Sequence, residues 1–296
     1  MKPTYRWSMV AATCLAALVI DVGAQPTADG LDKLAAQLRT YLTTYEAALG
    51  EVVALERMTQ RTGPHILSDG ETNTSGAPRV LESDVAFVGL PGGAGWLGYR
   101  DVLRRNGRPL RRTGPPLSDL LAVDRTESLD RARALLIASA AHNLGAPRTI
   151  NLPTLPLEFL HERNMHRITL TTATPQPEGR GECRGHRLEF RETSVPTLIQ
   201  RPQGGDMPSR VIAWVEPGTG RLCKAEVRTR DAGGGDDAVE AVVRVEFERE
   251  AAVGLTVPKR MEEEFFVPPL GRGTGEATYS NYRRFRTSGR LVPPAR

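Results

Sequence analysis

Val239-Glu240-Ala241-Val242-Val243-Arg244-Val245-Glu246-Phe247-Glu248 alternates apolar and polar side chains almost without a break. Successive residues of a strand point to opposite faces, so this run buries one face and wets the other. Its neighbours repeat the pattern. Leu255, Val257, Met261, Phe265 and Val267 follow it. Cys223, Ala225 and Val227, set against Lys224, Glu226 and Arg228, precede it. Further upstream stand Val211–Val215, apolar on both faces, then Leu188 and Phe190 between charged residues, then Ile168 and Leu170. Ala277–Arg286 is the last candidate strand. These segments lie about 10–18 residues apart, with turn sequences such as Pro217-Gly218-Thr219-Gly220 and Gly233-Gly234-Gly235 between them. That spacing suits an antiparallel meander and leaves no room for crossover helices between the strands.

The first half supplies more strands and the helices. Val52–Gln60, Arg79–Leu90 and Trp96–Arg105 read as strands. Asn106-Gly107 between Arg105 and Arg108 predicts a two-residue type I′ hairpin, because both residues tolerate positive φ. Leu31, Leu34, Leu38, Tyr41, Leu42, Tyr45 and Leu49 recur at steps of three and four, which predicts an amphipathic helix over 28–49 ended by Gly50. A helical insertion is expected over 117–163, with short helices at Ser118–Val123 and after Thr154-Leu155-Pro156 and a longer one at Ser128–Leu144. One sheet face needs an apolar partner and only these helices offer one, so the pattern predicts an α+β, mainly antiparallel fold with a curved sheet wrapped around a few helices.

Composition narrows the setting. Lys2 and Arg6, an apolar run over Ser8–Ile20 and the small residues Val22-Gly23-Ala24 read as a signal peptide over 1–24, cut after Ala24. The expected localisation is periplasmic or secreted, with no integral membrane segment once the signal is cleaved. The run is too short for a bilayer span of about 20 residues. Residues 25–290 are expected to form one domain, followed by a flexible tail over 291–296. A net charge of +4 on 296 residues does not argue for nucleic acid. Cys183 and Cys223 remain after cleavage. In an oxidising compartment they either bridge, closing a loop of about 40 residues, or stay as two thiols.

Chemical motifs are few. Gly93-Ala94-Gly95-Trp96-Leu97-Gly98 matches a dinucleotide fingerprint, but a helix must start there for its N-terminus to meet the pyrophosphate. A glycine-rich turn is the expectation, and no cofactor is predicted. His161 and His166 stand five apart, which places the imidazoles about 140° apart on a helix, so no metal site is expected and both read as surface histidines. Glu262-Glu263-Glu264 alternates faces on a strand and makes no carboxylate pair. No catalytic residue is assigned and the chain is not expected to be an enzyme. Arg100, Arg104, Arg105, Arg108, Arg111 and Arg112 crowd one hairpin; Arg104, Arg105 and Arg108 are candidates for a partner or phosphate contact.

Ala213-Trp214-Val215-Glu216-Pro217-Gly218-Thr219-Gly220-Arg221-Leu222-Cys223-Lys224 resembles a strand–turn–strand of the outer-membrane lipoprotein carrier (LolA/LolB-type) superfamily, with Glu216 where an aspartate is more usual. Leu255-Thr256-Val257-Pro258 and Met261–Phe265 resemble a second strand of that family. The resemblance implies a half-barrel of roughly 10–11 strands with a helical lid over an apolar concave face. It implies a non-enzymatic binding protein that holds a lipid, an acyl chain or an acylated protein. Leu188, Phe190, Val243, Val245 and Phe247 are the candidates for that face. The alternative is a sensing or scaffold module that binds an envelope protein partner, with a secreted hydrolase a more distant third.

Overall fold

The computed structural model describes residues 28–63, 65–66, 72–73, 76–89, 96–111, 136–178, 185–201, 204–233, 238–268, 270–286 and 290–291. The predicted signal segment, the helix expected at Ser118–Val123 and the first part of that at Ser128–Leu144 lie outside them.

Helix α1 spans Ala28–Leu49, and its buried stripe is the one the periodicity marks: Leu34, Leu38, Leu42, Tyr45 and Leu49. The strands are β1 (Val52–Thr62), β2 (His65–Ile66), β3 (Thr72–Asn73), β4 (Arg79–Gly89), β5 (Trp96–Arg105), β6 (Arg108–Pro109), β7 (Ile168–Glu178), β8 (Gly185–Glu192), β9 (Ser209–Val215), β10 (Leu222–Arg230), β11 (Glu240–Glu250), β12 (Leu255–Val267), β13 (Gly271–Arg286) and β14 (Arg290–Leu291). A short helix α2 (Leu155–Leu160) and a 3₁₀ turn over Glu162–Arg167 precede β7.

Eleven strands form one open antiparallel sheet in the order β6-β5-β4-β1-β13-β12-β11-β10-β9-β8-β7, with β14 paired to β13. The meander β7 to β13 is the expected one. The N-terminal strands join it through β1, whose Arg57 lies opposite Thr278 of β13. The sheet is a curved half-barrel, with α1 and α2 packed on its inner face.

The β5–β6 hairpin takes the predicted turn, with φ of 52° at Asn106 and 75° at Gly107. The Asn106 side-chain oxygen accepts from the Val80 N–H at 2.8 Å, and the Asn106 N–H donates to the Val80 carbonyl at 2.7 Å. Strand β13 starts six residues earlier than Ala277. Its alternate glycines explain why. A Cβ on Gly273 would fall 2.1 Å from the Phe265 ring, and one on Gly275 would fall 2.5 Å from the Glu263 carboxylate. Bare backbone there lets two large β12 side chains lie across β13, at positions where strand propensity is poor.

The helix expected to run to Leu144 stops at 140. Asn143 is drawn inward, where its side chain meets Gln60 and Asn151. Its amide also donates to the Arg148 carbonyl at 2.8 Å, and side-chain bonding to nearby backbone competes with helix continuation. Gly145, with φ of 78°, turns the chain back. Among the described residues no helix is long and apolar enough to cross a membrane.

Candidate functional site

The turn between β9 and β10 places α1. Glu216 accepts from the Thr219 hydroxyl at 2.6 Å and from both ends of the Arg221 guanidinium, at 3.1 and 2.9 Å. The Arg221 and Thr219 hydrogen bonds hold the Glu216 carboxyl down at about 2. Gly218 N–H then donates to the Gln37 side chain of α1 at 3.2 Å. Gly220 lies so close that a Cβ would sit 2.2 Å from the Gln37 carbonyl oxygen. The stretch that resembles the carrier family is therefore a docking platform for the helix.

Beneath α1 and α2 the inner sheet face is apolar. Leu188, Phe190, Val243, Val245 and Phe247 are all buried there, in one core with Leu34, Leu38 and Leu42 of α1 and Leu157, Phe159 and Leu160 of α2. The five residues sit on β8 and β11, separated by β9 and β10, whose Val211, Ala213, Ala225 and Val227 complete the surface. Ile212, Trp214 and Cys223 form a separate small buried cluster, which accounts for a β9 that is apolar on both faces. Cys183 lies outside the described residues.

At its other end the inner face is charged, which the alternation did not reveal. Arg100 is not part of the exposed arginine group. It is buried, and its guanidinium donates to Glu56 at 2.6 and 2.8 Å. It also donates to the carbonyl and side-chain oxygen of Asn151, at 2.8 and 3.3 Å. Burial alone would push the Arg100 guanidinium down, and the Glu56 carboxylate beside it more than reverses this. The Tyr279 hydroxyl donates to Glu56 at 2.9 Å; burial raises it well above the usual tyrosine range, so it stays a neutral donor. A second buried pair joins Arg148 to Glu263, with Nε to Oε2 at 3.0 Å. The Arg148 guanidinium also stacks 3.8 Å over the Phe265 ring. Gln60 and Asn143 link the two pairs: the Gln60 amide donates to Asn143 at 2.8 Å and faces Glu263 at 3.4 Å, and Asn151 donates to the same Asn143 oxygen at 2.9 Å. The network ties the segment over 136–160 to β1, β5, β12 and β13. Glu263 points inward while Glu264 pairs with Arg244 and Glu262 with Arg260, so the three glutamates alternate faces as expected.

His161 is buried, not on the surface. Its Nε2 lies 3.1 Å from Glu46 of α1, and its Nδ1 accepts from the Arg163 N–H at 3.1 Å. With Nδ1 engaged as an acceptor the ring is a neutral donor to Glu46, and burial lowers its proton affinity. His166 is exposed. Among the described residues no three His, Cys, Asp or Glu side chains gather as metal ligands. Residues 91–95 of the glycine-rich stretch lie outside the described residues. Strand β5 begins at Trp96, where a dinucleotide site needs a helix.

His142 is lowered as well, by burial and then by Arg105 and Arg79. Both histidines thus take up a proton less readily in the folded chain than at the ordinary 6.5. As pH falls below 6.5 the unfolded chain binds protons first, so stability drops until the folded values are reached and then levels. Urea midpoints at pH 7.5 and 5.5 check this, with the lower expected at 5.5. An unchanged midpoint would show that neither ring is held neutral.

Arg104, Arg105 and Arg108 are exposed at the hairpin. Arg104 shares Glu82 with Arg57, at 3.6 and 3.0 Å. Arg105 faces Arg108 across the turn.

No protein-family model matches the chain, and no curated protein matches it. Among solved structures, the chain is similar to a LolA superfamily protein from Nitrosomonas europaea. The two share 12% identity over 84% of this chain and 93% of that one, with a TM-score of 0.32.

Proposed function

We propose that the protein is a non-enzymatic, exported carrier that holds an acyl chain against the inner face of its half-barrel. The observation that supports this reading is that face. Leu188, Phe190, Val243, Val245 and Phe247 belong to a broad apolar trough on an open sheet, and the trough is roofed by helices. A helix resting on a sheet can be displaced as a unit. An acyl chain entering beneath α1 replaces its apolar contacts at about 0.8 kcal/mol per buried methylene. A sixteen-carbon chain then recovers on the order of 12 kcal/mol, enough to offset the loss of the stripe from Leu34 to Leu49. Nothing in the trough needs to react, so binding requires no catalytic group.

Native mass spectrometry of the chain expressed with its own N-terminus tests this reading. The expected species begins at Gln25 and carries a co-purifying lipid mass released by organic extraction. The same spectrum reads whether Cys183 and Cys223 bridge, as a mass lower by two hydrogens than that of the reduced chain. A lipid-free mass together with no uptake of a fluorescent fatty acid would sink the carrier reading.

A further inference from the structure

Most arginines on this sheet are matched. Arg210 and Arg187 pair with Glu189, Arg228 and Arg244 with Glu226, Arg260 with Glu262 and Glu276, and Arg283 with Asp84. At one corner three unmatched arginines gather. Among the described residues no carboxylate lies within 4 Å of Arg79, Arg105 or Arg108. Arg105 and Arg108 face each other across a two-residue turn, where like charges destabilise a hairpin. Arg79 is fixed in place, donating to the carbonyls of His142 and Asn143 at 2.9 and 3.1 Å. Its proton affinity is lowered by burial and then by Arg105, and that of His142 by burial, Arg105 and Arg79. The positive potential is therefore held by three separate elements: β4, the β5–β6 hairpin and the segment after 140.

Register places this corner. Leu81, buried on the inner face, lies opposite Arg105, and Gln60, also buried, lies opposite Arg79. The cationic group thus stands at the rim of the inner face, on the side of the sheet that the apolar trough occupies. We propose that Arg79, Arg105, Arg108 and His142 form an anion-binding rim that receives the phosphate group of an anionic membrane lipid. Guanidinium forks match phosphate oxygens in a bidentate way, and a bound phosphate would relieve the repulsion between Arg105 and Arg108. The lipid assignment rests on the carrier reading above; the anion site itself does not.

The test uses the mature chain and a double variant, Arg105→Gln with Arg108→Gln. Both side chains are exposed and neither holds the core, and a thermal melt confirms folding. Flotation with phosphatidylcholine vesicles is compared with phosphatidylcholine vesicles containing phosphatidylglycerol. The chain is expected to prefer the anionic vesicles, and the double variant to lose about thirtyfold in affinity for them. Equal binding by the double variant, or no preference for anionic vesicles, would overturn the rim. Inorganic phosphate at matched ionic strength is the second arm. If it displaces the vesicles and shifts the His142 resonance at comparable concentration, the site takes free phosphate and the lipid assignment falls. Fatty-acid uptake is measured on the same samples. Its loss with retained vesicle preference sinks the trough and leaves the rim standing.

Discussion

Replacing Arg100 by alanine is expected to cost about 3–5 kcal/mol of unfolding free energy. The effect comes from what is left behind. Glu56 is fully buried and accepts from Arg100 and Tyr279; without the guanidinium its charge has one neutral donor in a site closed to water. The Coulombic gain of the pair is a poor guide to this number, because desolvating both ions nearly cancels it. An apolar replacement of both partners should therefore be milder than either single change. Urea denaturation of Arg100→Ala, Glu56→Leu and the combined Arg100→Met with Glu56→Leu makes the comparison. A double variant no better than the singles would mean that the pair is stabilising in itself. A loss under 1 kcal/mol for Arg100→Ala would mean that water reaches Glu56.

The second large effect concerns Gly220. Alanine there is expected to cost about 2–5 kcal/mol, from a positive φ and from a steric collision that backbone cannot easily avoid. The φ is 71°, and the new Cβ would stand 2.2 Å from the Gln37 carbonyl oxygen of α1. Gly218 provides the control within the same turn. Its φ is 86°, but nothing lies within 4 Å of its Cβ position. Alanine at 218 should cost only about 1–2 kcal/mol, the conformational part alone. Chemical denaturation of the two variants separates the terms. Equal losses would show that α1 shifts freely to admit the methyl group. That result would also say that α1 is loosely held over the inner face of the sheet.

Much of this architecture is legible in the sequence where local rules act alone. The stripe from Leu34 to Leu49 has one buried face whatever it packs on, and α1 matches its predicted limits. Asn106-Gly107 has one low-cost turn geometry between strands, and it adopts that turn. The period-two runs on β8, β11 and β12 orient themselves because a slip of one residue would expose every apolar side chain. What was not legible is what depends on partners far away in the chain. Arg100 sits four residues from Arg104 in a cationic segment and looks like its neighbours. Only its position opposite Val85 on β4, one strand from Glu56, turns it inward. Alternation sets Glu263 on the opposite face from Glu262 and Glu264, but its partner Arg148 comes from 115 positions earlier and is not marked locally. The early start of β13 was hidden for the same reason, since its glycines oppose strand formation until Phe265 and Glu263 need the space. His161 looked superficial because Glu46, its partner, belongs to a helix more than a hundred positions earlier.

The pairing of β1 with β13 also sets an order of events. Glu56 and Tyr279 meet from positions 223 residues apart. Contacts of such long range are slow to form, because the loop must close before any reward is gained. Strand β1 has no partner on its β13 side until nearly the whole chain has been made, and the charged knot around Glu56 cannot close before then. Strands β1, β4 and β5 can pair with one another as soon as they are made, but this unit cannot join the C-terminal meander until β13 exists. Strand β13 is thus the seam between two separately assembled halves of the sheet, and the charged knot around Glu56 is fastened only when that seam closes.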